Sequence, residues 1–223
     1  MYDTGPRFSE RLDAGRAALV PFLRERGIAH IDALVVSHGD NDHLGGLRSL
    51  LAEVSVGRIL TSVPHQIPSR RTVPCEAGQH WKWEGVAFTV LHPTADDPGS
   101  DNERSCVLRV STGARAVLIP GDIEHGAEAR LVRRLGPALH AEVLVAPHHG
   151  SKTSSTLRFI TATQPRYAVI SVGQTSMFGH PNPDVVKRWE EAGAQVLRTG
   201  NSGTITFTTN GTDLKMETFV TQK

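Results

Sequence analysis

The chain has 223 residues, 39% of them hydrophobic, and its 24 Lys and Arg nearly cancel its 23 Asp and Glu, leaving a formal charge of +1. That length suits one large domain, and the balance excludes binding to nucleic acid by bulk positive charge, although not through a local basic rim. Two cysteines exclude a disulfide framework and an all-thiolate metal cluster; no apolar run approaches the ~18 residues of a spanning helix, and the first residues lack the basic start and apolar stretch of a signal peptide.

Leu19, Val20 and Leu23 have helical spacing, with Pro21 admissible only in the first turn and Gly27 as a stop. Ile31 to Ser37 reads as a buried strand, Gly45 to Ala52 as a helix and Arg58 to Ser62 as another strand. Residues 63–78 carry three prolines and no period, and so read as loop. Trp81 and Trp83 alternate with polar residues before Glu84-Gly85 turns the chain into Val86 to Leu91, a hairpin in which the indoles pack. A polar loop over 92–104 leads to a second hairpin, Ser105 to Val110 and Arg115 to Ile119. Then come a helix near Ala127 to Leu135, a strand Val143 to Ala146, a helix near Thr156 to Ala162 and a strand Tyr167 to Ser171. Asn182-Pro183 opens a helix that Gly193 ends, and the tail is a hairpin turning at Asn210-Gly211. Both element types run through the whole length, which reads as one α/β domain over 1–223.

The 11 histidines, about twice ordinary usage, concentrate the chemistry. His38, Asp40, Asp42 and His43 follow the first strand directly and open a helix, and imidazole with carboxylate suits Zn, Mn or Fe. Helix capping would use one carboxylate and leave the other three side chains unexplained. Gly45-Gly46 would let backbone pack close behind the loop. Asp122 ends a strand, where a lone Asp is as often a turn former as a ligand. His148 and His149 follow another strand; on extended backbone they would point opposite ways, so that one ligates while the other faces substrate or packs. Ser151 and Lys152 would hold a phosphate at the next helix start, and His180 sits at a fourth strand-to-helix junction. The other six histidines read as surface or packing residues.

In order, H-x-D-x-D-H-x-G-G, G-D, H-H-G-S-K-T-S-S and G-H-P resemble the metallo-β-lactamase superfamily, and within it the C-terminal domain of ComEC-type competence DNA-uptake channels. The resemblance covers essentially the whole chain from Tyr2-Asp3-Thr4-Gly5-Pro6 onward. It implies a four-layer αββα sandwich, here a fragment of a larger membrane protein lacking N-terminal edge strands. It implies two divalent ions, one held by His38, Asp40 and Asp122, the other by Asp42, His43, Asp122 and one of His148 or His149. Asp40 stands where the superfamily has a second His, and residues 101–105 hold no further His. The first position is therefore oxygen-rich, which favours Mn over Zn, with Mg also admissible.

The implied activity is a nuclease that degrades the non-transported DNA strand. Asp42 would orient water, His149 or His180 would protonate the leaving oxygen, and Lys152, Ser151, Arg104 and Arg70-Arg71 would contact the DNA. The implied partners are DNA, the channel portion of the same protein and other competence proteins, with the domain on the extracytoplasmic face of the cytoplasmic membrane. In an oxidising setting Cys75 and Cys106 would pair, although Cys106 in a strand reads more simply as buried packing. Two other readings stay open: another hydrolase on this scaffold (a small-molecule phosphodiesterase, lactonase or thioesterase), or an inert DNA-guiding module.

Overall fold

In the computed structural model, which describes residues 1–67, 69–176 and 179–220, the first apolar run forms strand β1 (His30–Val36). The chain divides into two units, Met1–Glu76 with Pro93–Cys106, and Ala77–His92 with Val107–Lys223.

In the first unit a wide helical turn over Gly15–Leu19 leads into α1 (Val20–Glu25), with Pro21 in its first turn and Gly27 turning out of it at φ +66°. After β1 come α2 (Asn41–Leu44), α3 (Leu47–Glu53) and β2 (Ser55–Thr61), which pairs parallel with β1. Strand β3 (Thr72–Pro74) extends the sheet beyond β2. It lies within the stretch expected to be loop, of which Pro68 is outside the described residues. Three residues ending in proline suit only an edge, which is why no period marks them. Val20, Leu34, Val36, Leu50, Val56 and Ile59 form the core, each such burial contributing about 1.5–3 kcal/mol. Asp13 is buried here and accepts hydrogen bonds from Arg16 N at 2.9 Å and Ser49 Oγ at 2.6 Å. Burial pushes its carboxyl up, but these bonds and the Arg16 charge outweigh that and hold it below the usual range.

Cys75 and Cys106, both in this unit, form a disulfide across a sequence separation of 31. Simple packing of Cys106 is thus corrected. Cys106 precedes the next strand rather than lying in it, and its N–H donates to Ser37 O at 2.9 Å.

The second unit is built on a seven-stranded sheet. Its antiparallel half holds β4 (His80–Trp83), β5 (Val86–His92), β6 (Val107–Thr112) and β7 (Arg115–Ile119). After α4 (His125–Leu135) the sheet continues parallel through β8 (Val143–Val145), α5 (Leu157–Thr163), β9 (Tyr167–Ile170), α6 (Pro183–Glu191) and β10 (Gln195–Arg198). Trp81 stacks on Phe88 with ring centroids 5.2 Å apart, as the hairpin reading expects. Leu118, Leu131, Leu144, Phe159, Ile160 and Trp189 are fully buried in one cluster. The short helix α7 (Thr199–Ser202) precedes the hairpin β11 (Thr204–Thr209) and β12 (Leu214–Phe219), whose Ile205, Phe207, Leu214 and Met216 pack on Tyr167 and Leu197. That hairpin closes through four residues rather than a two-residue Asn-Gly turn: Asn210 Oδ1 accepts from the backbone N–H groups of Thr212 and Asp213, tying the wider loop.

Candidate functional site

In the first unit the buried strand β1 delivers Ser37 and His38 directly into the loop before α2. His38 is fully buried and His43 nearly so, with ring centroids 4.2 Å apart, whereas Asp40 and Asp42 are exposed. Asp40 occupies the N-cap position of α2 yet makes no capping hydrogen bond with its side chain. Its Oδ2 lies 3.5 Å from His38 Nε2, and Asp42 Oδ2 lies 3.7 Å from His43 Nε2.

The residue that orients this set is Asp3, which follows no predicted strand. Its Oδ1 accepts from Ser37 N at 2.7 Å; its Oδ2 accepts from Ser37 Oγ at 2.9 Å and from His43 Nδ1 at 2.7 Å. A ring that donates through Nδ1 keeps its Nε2 lone pair for a cation. Thr4 adds two bonds to His43 O, from its N–H and its hydroxyl, each 2.8 Å. Gly46 makes this close approach possible, since a Cβ there would lie 2.2 Å from Thr4 O. Only the Tyr2-to-Pro6 motif hinted at Asp3. Asp3→Ala is expected to weaken divalent-metal binding by about 10- to 100-fold with the fold retained, as read by isothermal titration with Mn.

In the second unit Gly121, at φ +60°, turns the chain after β7 and the buried Asp122 follows it. Beyond β8, His148 and His149 lie at φ +48° and +52°, consecutive left-handed residues. The expected extended backbone is therefore absent, and so is the divergence of the two rings. His148 Nε2 and His149 Nε2 approach Asp122 Oδ2 to 3.8 and 3.6 Å. His149 Nδ1 is 2.8 Å from Ser171 O, a carbonyl that can only accept, which leaves Nε2 with its lone pair. His148 Nδ1 is 3.2 Å from Glu124 Oε1, which also accepts from Thr153 Oγ1 at 2.8 Å. Glu124 is a second orienting residue that no sequence signal separated from an ordinary helix start.

His180 is half-buried, its ring centroid 5.7 Å from that of His148. Ser151 is buried with its hydroxyl 3.1 Å from Thr153 Oγ1, whereas Lys152 is exposed. Around the next helix start the N–H groups of Ser155, Thr156 and Phe159 already have partners. Glu128, fully buried on α4, accepts from Ser155 N and, at 2.8 Å, from Thr156 N, while Thr156 Oγ1 caps Phe159 N. Burial pushes the Glu128 carboxyl up despite these bonds. Back in the first unit, the Arg104 guanidinium donates to Asp97 O, and Arg71 Nη1 donates to Val56 O at 2.9 Å, so both serve local structure.

Each unit thus presents imidazole and carboxylate groups with the nitrogen tautomers a divalent cation needs. Residues 1–174 match the family model described as Metallo-beta-lactamase superfamily. The chain is similar to Competence protein ComA of Neisseria gonorrhoeae, at 38% identity over 93% of this chain and 29% of that protein. It is also similar to ComE operon protein 3 of Bacillus subtilis (strain 168), at 35% identity over 86% of this chain and 26% of that protein. The chain therefore spans less than a third of these relatives' length. Among solved structures, the metallo-beta-lactamase fold protein YhfI from Bacillus subtilis is similar in fold, with a TM-score of 0.54 at 14% identity, covering 88% of this chain and 82% of that one. No helix among the described residues is long and apolar enough to cross a membrane. With the match covering more than half of its length, the chain belongs to the metallo-β-lactamase superfamily.

Proposed function

We propose that this chain is a metal-dependent phosphodiesterase that degrades DNA, acting on the strand left behind during uptake. The observation that carries the reading is the tautomer lock on His43 and His149, whose Nδ1 atoms bond Asp3 and Ser171 O so that Nε2 is kept for a cation. Membership of the superfamily and likeness to competence proteins support the substrate class.

By likeness to the superfamily, His38, Asp40 and Asp122 would hold one divalent ion, and Asp42, His43, Asp122 and one of His148 or His149 the other, with Mn preferred because carboxylates outnumber imidazoles at the first position. Such ions supply Lewis acidity and neutralise charge on a phosphate diester. Asp42 orients the attacking water. His180 gives a proton to the leaving oxygen, a role its place beside His148 supports. Lys152, exposed next to the ligand turn, meets the DNA backbone. The Cys75–Cys106 bond supports an oxidising, extracytoplasmic setting, with the channel portion of a longer protein and other competence proteins as partners.

The test is elemental analysis of the purified chain beside titrations of Mn, Mg and Zn against a labelled single-stranded oligonucleotide, a lactone and a thioester. Saturable cleavage of the oligonucleotide with Mn is expected. Turnover of the lactone or thioester alone, or of nothing, would sink the proposal, and cleavage with Zn but none with Mn would reverse the metal preference.

A further inference from the structure

The loop that follows the Asp3 segment is held rigidly and yet shows its apolar side chains to solvent. Phe8 N donates to Leu12 O at 2.9 Å and Ser9 N to the same carbonyl at 3.0 Å, closing a tight turn. Ser9 Oγ accepts from the N–H groups of Arg11 and Leu12, and Arg7 Nε donates to Ser9 O at 3.1 Å. Two further features fasten the turn to α2, the helix that carries Asp42 and His43. Asn41 Oδ1 accepts from Arg7 N at 3.3 Å while Asn41 Nδ2 donates to Arg7 O at 3.0 Å. At the other end of α2, the backbone of Pro6 and Arg7 lies so near Gly45 that a Cβ there would sit 2.3 Å from Arg7 N.

On this anchored turn Phe8 is 64% exposed and Leu12 48% exposed, with Arg7 and Arg11 exposed beside them. A single exposed apolar residue is ordinary. Two on one braced turn, flanked by guanidinium groups, are the combination that binds single-stranded nucleic acid: an aromatic face for a base and cations for phosphates.

We infer that the Arg7–Leu12 turn is a binding platform for single-stranded nucleic acid, where Phe8 stacks on a base and Arg7 and Arg11 meet the phosphates next to α2. This rests on the phosphodiesterase reading and names the element that would make it prefer a polymer over a small diester. Stacking needs only a π-face, so the platform tolerates any sequence.

The test uses the whole chain and a fluorescein-labelled dT20 oligonucleotide, with EDTA present so that binding is read without cleavage. Phe8→Ala is expected to weaken binding about ten-fold, Phe8→Trp to restore it, and Arg11→Ala to lower the slope of log K against log salt by about 0.7. With Mn restored, Phe8→Ala should raise the KM for the oligonucleotide about ten-fold relative to that for bis(p-nitrophenyl) phosphate. Equal oligonucleotide binding by wild type and Phe8→Ala, at equal melting temperature, overturns the inference. So does a loss by Phe8→Ala of binding to anionic phosphatidylglycerol vesicles with oligonucleotide affinity intact, which would assign the turn to a membrane surface. If the wild type cleaves neither the oligonucleotide nor the small diester, the phosphodiesterase reading itself has failed. Cleavage of both with no Phe8 effect removes only the platform.

Discussion

Replacing Asp122 by alanine is expected to slow Mn-supported DNA cleavage about a thousand-fold or more, with the melting temperature held. Asp122 is 4% exposed, and both His148 and His149 turn their Nε2 atoms toward its Oδ2. A carboxylate in such a place loses hydration that only a cation or a strong hydrogen-bond donor returns. A divalent ion held there contributes several kcal/mol to stabilising charge at a phosphate diester, and each 1.36 kcal/mol is ten-fold in rate. Asp42→Ala should cause a loss of similar size. Steady-state kinetics at saturating Mn reads both. Cleavage by both variants at the wild-type rate would end the hydrolase reading.

Loss of the disulfide should be the largest change in stability. A closed loop of 31 residues restricts the unfolded chain by about 3–4 kcal/mol. The double variant Cys75→Ser, Cys106→Ser should therefore denature at markedly lower urea, with a steeper slope because its unfolded chain is less compact. The bond also lies close behind the ligand loop. Cys106 N and Ser62 Oγ both donate to Ser37 O, at 2.9 and 2.8 Å, and the Ser37 hydroxyl meets Asp3, His38 and His43. Metal affinity in the variant should fall along with stability. A loss of stability below about 1 kcal/mol would show that the native contacts alone set the geometry of this region.

The strands that precede His38 and Asp122 were legible because each carries an apolar run, Ala33 to Val36 in β1 and Ala116 to Ile119 in β7. The helix start at Asn182 was equally plain, since its side chain does accept from Asp184 N. What escaped notice was what depends on partners far along the chain. Asp3 serves His43 from 40 positions away, and nothing local distinguishes its carboxylate from any other. Strand β10 (Gln195–Arg198) has two polar ends around Val196 and Leu197, too short a run for a period-two signal. The His148-His149 conformation departs from the sequence expectation for a different reason. Left-handed backbone is so unfavourable for most side chains that an extended form is the natural expectation.

That corner has a consequence for anyone who would transplant it. Donating two nitrogens from neighbouring positions toward one carboxylate depends on the pair of left-handed residues, and these are fastened by His148 N to Gly121 O and by Ser151 N to His148 O. A scaffold given only the letters Pro-His-His-Gly would relax to ordinary backbone and splay the rings apart. The portable unit is the turn together with the neighbouring strand end that clasps it.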